Sequence, residues 1–281
     1  MYLVRGKFMK DIVIIPTYNR PELLYLCIEQ LSKCEGIETK QVIIHEDDHD
    51  DKPKHFSRIL EILEVIRFAK RVLPHVSHVR VSHSNYGSSY NFIEGFRHAY
   101  NSDAKYVYHI EDDCLITPDY FRYAEEAHKL CPDAFVVCGN ARPQSRTGES
   151  DLVHLSYWFQ TFALSFRREN LAKILLPKYE GYCLSRNFEF DTYIMNWMVR
   201  NEEYSVSPMK ERVFTFGHYS YHMPGQRLPG NLQEVIELTR QATKDPSLLS
   251  GSGYAKDFIP YSEPDLWTSL RKRSSLGQKL K

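Results

Sequence analysis

The sequence predicts an α/β fold, a mostly parallel sheet flanked by helices, and three observations predict it. Short apolar runs alternate with single helical segments through the first half of the chain, which is the pattern of βαβ units. Three of those runs end in polar or acidic loops, at 16–20, 46–51 and 111–113. Ligands of open α/β sheets bind outside the carboxyl ends of their strands. The chain has 281 residues, ample for one large core with a small appendage.

The elements follow in order. Asp11–Ile15 reads as a buried strand, and Pro16-Thr17-Tyr18-Asn19-Arg20-Pro21 as a turn-rich loop. Pro21 suits the first helical position, after which Leu24, Ile28 and Leu31 mark one helical face. Gln41–Ile44 is the second strand. Over His55–Leu73 the apolar residues Ile59, Ile62, Leu63, Ile66 and Ala69 keep a 3.6-residue period and predict an amphipathic helix. Val79–Val81, Lys105–Ile110 and Ala134–Cys138 are further strands, and Ser89–Tyr100 is a helix. Thr117-Pro118 suits a cap and first position for a helix reaching Leu130. Beyond residue 140 the alternation fails. Ser156–Phe166 reads as strand, Arg168–Leu176 and Phe190–Val199 as helices, and Met209–Tyr221 as polar and β-like. Asn231 and Glu234 open a helix to Ala242 in the manner of a capping box. The expected organisation is one domain over 1–245, with a ligand-binding half at 11–140 and a second half at 141–245. A loop-rich extension with a basic tail follows at 246–281.

Composition narrows the function. Lys and Arg number 36 against 36 Asp and Glu, and this balance argues against a protein that grips polyanions through a global field. No apolar run approaches the roughly 18 residues that a membrane span needs. Six scattered cysteines show no metal-binding spacing. Reduced thiols in a cytoplasmic setting are the expectation. The Arg271–Lys281 tail reads as a frayed end or as a weak anchor for phosphates or anionic lipid.

Glu111-Asp112-Asp113 is the sharpest feature. Alternation along a strand would put Glu111 and Asp113 on one face and Asp112 on the other. Three adjacent carboxylates repel unless a cation or hydrogen-bond donors intervene. Such hard oxygen ligands suit Mg²⁺ or Mn²⁺ together with substrate phosphates; the plain alternative is a solvated acidic turn. In 46–51, Glu46 or Asp47 suits a nucleobase N–H or a ribose hydroxyl, and the other acids read as solvated. His45, Asp47 and His49 also alternate as metal ligands would. Gly87, after Asn85, allows φ > 0 or a close backbone approach, and Ser88 or Ser89 can cap the helix that follows. Asp191 opens a helix, as a general base or as an acid complementing the helix dipole. His218 and His222 lie in an aromatic stretch, as a metal ligand, a diphosphate donor or hydrogen-bonded structural residues.

Together these residues resemble the GT-A class of nucleotide-sugar glycosyltransferases. Ile14-Ile15-Pro16-Thr17-Tyr18-Asn19-Arg20-Pro21 is similar to the opening strand and loop of its large inverting family. Glu46-Asp47 stands where that family carries a uridine-contacting Asp pair. Asn85-x-Gly87 with Asn91 resembles its Asn-x-Gly helix start, and Glu111-Asp112-Asp113 its DxD-type metal motif. The block 111–113 with Pro118-Asp119-Tyr120-Phe121 and Tyr123, and Val213–Gly217 later, looks like the N-acetylglucosaminyltransferase I type. The resemblance covers roughly residues 11–222. It implies that Asp113 is the direct metal ligand and that Asp112 stands by the ribose or sugar. It places Thr17, Arg20 and Asp47 on the uridine side, Asp191 as general base and His222 near the diphosphate, with Pro16, Tyr18 and Glu111 as further candidates for contact with the nucleotide sugar. His218 is a second candidate for the metal.

The expected activity is metal-dependent, inverting transfer of a sugar from a nucleotide donor, UDP-linked by the resemblance, to an acceptor hydroxyl. The acceptor is a glycan, a lipid-linked precursor, a protein or a hydroxymethylated base in DNA, where aromatic loops can stack a flipped base. A nucleotidyltransferase is a rival, although 16–21 lacks the glycine of a phosphate loop. A nucleotide-sugar-binding module without turnover is another.

Overall fold

The computed structural model describes residues 10–47, 53–80, 87–141, 151–157, 159–175, 190–215 and 271–274. Strands β1 (Asp11–Thr17), β2 (Lys40–Glu46) and β3 (Val76–Arg80) alternate with helices α1 (Pro21–Leu31), α2 (Pro53–Val72) and α3 (Ser88–Tyr100). Then come β4 (Tyr106–Ile110), β5 (Cys114–Ile116), α4 (Tyr120–Leu130) and β6 (Val136–Cys138). The second half holds β7 (Leu152–Ser156), β8 (Ala163–Arg167), α5 (Leu171–Leu175), α6 (Phe190–Arg200), β9 (Ser205–Pro208), β10 (Val213–Thr215) and β11 (Arg271–Ser274).

Among the described residues one sheet holds nine strands in the order β11-β7-β9-β6-β8-β4-β1-β2-β3. The β4-β1-β2-β3 run is parallel throughout, so the carboxyl ends of β1, β2 and β4 share one edge. Antiparallel β8 joins β4 to β6. β10 pairs with β5 in a separate two-stranded ladder, with Thr215 opposite Cys114. That ladder begins directly after the acidic block.

Period-two alternation explains the two-sided core. Val13, Ile15, Val42 and Ile44 pack with Leu24 and Ile28 of α1, Ile62 and Ile66 of α2 and Phe121 of α4. Ile12, Ile14 and Ile43 face the other way, onto Phe92 and Phe96 of α3 and Phe190 and Ile194 of α6. A Cβ added at Gly95 would lie 2.9 Å from Ile14 Cγ2. The glycine thus lets α3 lie close on β1.

Four local expectations change. The helix after the acidic block begins at Tyr120 and not at Pro118. The Thr117 hydroxyl donates to Asp119 Oδ1 at 2.7 Å, and the Tyr120 amide donates to the Thr117 carbonyl at 3.0 Å. Those bonds make 117–120 a turn. Ser156–Phe166 is not one strand. β7 pairs with β9 while β8 pairs with β4 and β6, so the chain must cross the sheet between them. β9, Ser-Val-Ser-Pro and buried throughout, was not expected, because two serines hide a four-residue core strand. Arg271–Ser274, the start of the expected basic tail, is an edge strand parallel to β7. The helix expected at Asn231–Ala242 lies outside the described residues. No helix among the described residues is long and apolar enough to cross a membrane. The five described cysteines, Cys27, Cys34, Cys114, Cys131 and Cys138, are buried and not in disulfides.

Candidate active site

The site assembles where β1, β2 and β4 end. After β1, Asn19 takes a left-handed conformation, φ 52°, which turns the chain so that Arg20 stands at the cap position of α1 with Pro21 at its start. Its guanidinium reaches across to the loop after β4. Arg20 Nε donates to Asp112 Oδ2 at 3.3 Å, Nη1 donates to Asp113 Oδ2 at 3.1 Å, and Nη2 pairs with Asp112 Oδ1. The Thr17 hydroxyl donates to Asp112 Oδ2 at 2.7 Å. The Asp47 amide donates to the Thr17 carbonyl at 3.0 Å, tying the end of β2 to the same point. Thr17, Asp47, Asp112 and Asp113 are all buried.

Strand alternation does not extend through the acidic block. β4 stops at Ile110, and the Cys114 amide donates to the Glu111 carbonyl at 3.0 Å, closing a tight turn. Asp112 and Asp113 therefore face the same partner, Arg20, instead of opposite sides. The resemblance put Arg20 on the uridine side; the structure places it on the two aspartates.

Charge is unbalanced here. Three carboxylates face one guanidinium. Burial, reinforced by Asp113, pushes the Glu111 carboxyl up to about 8, against a hydrogen bond from Thr161 and the charge of Arg20. Burial likewise lifts Asp112 to about 6, against Arg20. Burial alone would lower the guanidinium's pKa, but Asp112, Asp113 and Glu111 more than offset it and hold it above its ordinary value. Surplus negative charge on hard oxygen donors fits Mg²⁺ or Mn²⁺. Among the described residues no three His, Cys, Asp or Glu side chains form a ready metal cage.

The other expected residues are placed as follows. Pro16 is buried in β1, and Tyr18 is half-buried in the loop after it. Glu46 is buried, with Oε2 2.6 Å from His78 Nε2 on β3. Asn91 is held by His45 at both ends of its amide, Oδ1 to the ring Nδ1 at 3.1 Å and Nδ2 to the His45 carbonyl at 3.1 Å. Gly87 has φ 92°, the first of the two roles expected of it, and an added Cβ would meet nothing within 4 Å. Backbone conformation and not close approach asks for glycine. No serine side chain caps α3, because Gly87 itself occupies the cap position. Asp191 lies in the first turn of α6 and accepts from the Thr192 amide at 2.8 Å. Phe190 beside it stacks on Phe92, which stacks on His109 of β4, with centroids 5.3 and 4.1 Å apart. This aromatic pile ties the start of α6 to the strand that ends in the acidic block. Asn85, His49, His218 and His222 lie outside the described residues. His45, suggested as a metal ligand with Asp47 and His49, instead anchors Asn91.

Sequence reasoning missed a supporting pair. Arg212, wholly buried, donates from Nη1 to Asp119 Oδ2 at 2.6 Å. Its backbone accepts from the Thr117 amide and donates to the Gly139 carbonyl, both at 2.9 Å. Arg212 precedes β10 and Thr117 follows β5, so the pair locks the base of the ladder adjoining the acids. An arginine next to Val213 and Phe214 carries no signal of this in the sequence.

The stability of the metal-free protein depends on pH in both directions. A carboxyl held up in the fold keeps its proton after the unfolded chain has lost it, so stability falls as pH rises through that interval. For Asp112 the interval runs from 3.8 to about 6, and for Glu111 from 4.5 to about 8. Burial lowers His45, His109 and His128 from 6.5 to about 4, 3 and 3. Their contribution is full above 6.5 and is lost as pH falls. Three imidazoles outweigh two carboxyls on the acid side, and above 6.5 only Glu111 of these groups still titrates. The melting temperature in chelator therefore peaks near pH 6.5 and declines toward about 8. Glu111→Gln removes that decline; an unchanged decline in the variant refutes the assignment.

Comparison with known proteins fits this geometry. Residues 12–194 match the model of the family described as glycosyl transferase family 2. No curated protein sequence matches the chain. Among solved structures, S. aureus TarS 1-349 superposes with a TM-score of 0.52 at 15% identity, covering 84% of this chain and 66% of that one. The same protein in complex with UDP-GlcNAc gives 0.52 at 16%, covering 84% and 67%. Mannosyltransferase PcManGT from Pyrobaculum calidifontis, in complex with GDP-Man and Mn²⁺, gives 0.46 at 17%, covering 59% and 46%. The chain spans between 40% and 66% of the length of the first three solved relatives. The sheet order and the TarS superposition agree with the GT-A fold expected from the sequence.

Proposed function

The chain belongs to glycosyl transferase family 2, and from that membership we propose that it moves a sugar from a UDP-linked donor to an acceptor hydroxyl, with inversion and with Mn²⁺ or Mg²⁺ bound. One observation carries the reading. The side chains of Thr17, Arg20, Asp112 and Asp113 meet at one point, and the Asp47 backbone is bonded to Thr17 beside them. Buried acidic side chains gathered at the carboxyl edge of a parallel sheet are arranged for a ligand and not for packing. The likeness to the N-acetylglucosaminyltransferase I type belongs to the same proposal. The TarS complex with UDP-GlcNAc makes UDP-sugars the first donors to try.

In this reading Asp47 and Thr17 receive the nucleoside and Asp113 holds the cation; Asp112, expected by the ribose or sugar, joins it because both aspartates face the same point. When bound, that ion neutralises the charge of the departing diphosphate. Asp191 accepts the proton of the acceptor hydroxyl. The oxygen so freed attacks the anomeric carbon opposite the leaving group, the C–O bond to the diphosphate breaks, and UDP leaves. A single displacement inverts the centre.

The test is UDP release from a panel of UDP-, GDP- and CDP-sugars with Mn²⁺. Asp113→Ala is expected to lower turnover by at least about 100-fold, the scale of losing one electrostatic contact to the transition state. Turnover equal to the parent in this variant refutes the metal assignment. Donor binding without turnover under every condition identifies a binding module instead.

A further inference from the structure

The cation that the Asp112–Asp113 pair holds in this structure is a side chain. Arg20 supplies Nε and Nη2 to Asp112 and Nη1 to Asp113. The two aspartates are 0% and 3% exposed, while the arginine side chain keeps 25% of its surface. Beyond Arg20, Asp113 receives the Cys114 thiol at 3.6 Å, a weak contact. The backbone of Arg20 is pinned, with left-handed Asn19 before it and Pro21 after it. Any movement of the guanidinium must therefore come from side-chain rotation toward the open side. A divalent cation that takes Asp113 as ligand meets a guanidinium already on that carboxylate.

We propose that Arg20 is the resident counter-cation of the aspartate pair and exchanges with the divalent ion. It gives up Asp113 when the metal enters and turns to the diphosphate that arrives with it. The inference rests on the metal-dependent reading above and adds the residue that couples metal to donor. Arginine suits the task. Its planar fork fits a carboxylate and a phosphate equally well. Exchanging one anion for the other never leaves a buried charge unpaired, which is the costly outcome. The consequence is reciprocal coupling. Metal alone must break the arginine contacts, whereas metal with UDP offers the arginine a new partner.

The experiment is Mn²⁺ binding to the full chain by electron paramagnetic resonance in alkaline buffer, with and without UDP. The parent is compared with Arg20→Ala and Arg20→Lys. In the parent, UDP tightens Mn²⁺ binding. Arg20→Ala is expected to bind Mn²⁺ alone about tenfold more tightly than the parent and to lose most of the tightening by UDP. Arg20→Lys, which keeps the charge but not the fork, falls between. The melting temperature of Arg20→Ala in chelator drops, and Mn²⁺ restores it. If both proteins bind Mn²⁺ but the Ala variant binds it no more tightly than the parent, the exchange is refuted and the metal reading stands. If the parent binds no Mn²⁺ with or without UDP, the metal reading fails and the exchange falls with it. Should Arg20→Ala not fold, the Lys variant decides, because undiminished UDP coupling there equally refutes the exchange.

Discussion

Asp191→Asn is expected to lower kcat by about 10²- to 10⁴-fold, the range for loss of a positioned proton acceptor, while donor affinity stays within about twofold. The amide is the same size as the carboxylate and keeps an oxygen for the Thr192 amide, which Asp191 Oδ1 accepts at 2.8 Å. The first turn of α6 should therefore survive. Its position should survive too, because it depends on Phe190, 4% exposed and stacked on Phe92. What disappears is the capacity to take a proton from the acceptor hydroxyl. Turnover by UDP release and UDP affinity by calorimetry separate the two effects. Undiminished kcat removes Asp191 from the mechanism and leaves its carboxylate as a complement to the helix dipole. Reduced affinity with unchanged kcat would place it on the donor.

Arg212→Ala is expected to destabilise the protein by about 3–5 kcal/mol, the cost of breaking a buried ion pair from one side. The Asp119 carboxylate, 1% exposed, would lose the 2.6 Å guanidinium contact, its shortest ion pair, while the Thr117 hydroxyl and Arg122 at 4.0 Å stay near it. For a chain of this size the melting temperature falls by on the order of 10 °C. Replacing both partners, as in Asp119→Leu with Arg212→Met, should recover much of the loss, since an apolar pair of similar volume leaves no charge stranded. Equal melting temperatures for Arg212→Ala and the parent would show that the pair contributes nothing. A double variant no better than the single would place the effect in packing, including the guanidinium over the Tyr123 ring at 5.4 Å. Because Arg212 anchors the ladder beside the acids, the single variant is also expected to bind Mn²⁺ more weakly than the parent.

Local pattern carried much of the fold. The apolar runs Ile12–Ile15 and Val42–Ile44 and the 3.6-residue period of α2 announce the parallel half, because burial on both faces writes itself into consecutive side chains. The second half was read less well. β9 is Ser-Val-Ser-Pro, and β7 and β8 run through one aromatic stretch. Their identity as strands comes from partners far along the chain, which no local window contains.

The site divides the same way. The sequence singled out the strand ends where Thr17, Arg20, Asp112 and Asp113 gather in the fold, since acids and a Thr-Tyr-Asn-Arg loop stand out at the edge of an apolar sheet. It placed the helix start at Pro21 and marked Gly87 as a position for glycine, because those are properties of single residues. Only the tertiary structure decided that Asp112 and Asp113 face the same way, since the turn after Ile110 ends the strand alternation one residue before the block. Only it placed Arg20 on those aspartates, over 90 residues away in sequence, and Arg212 on Asp119. The reason is physical: backbone preference is local, whereas a buried charge finds its partner through the fold.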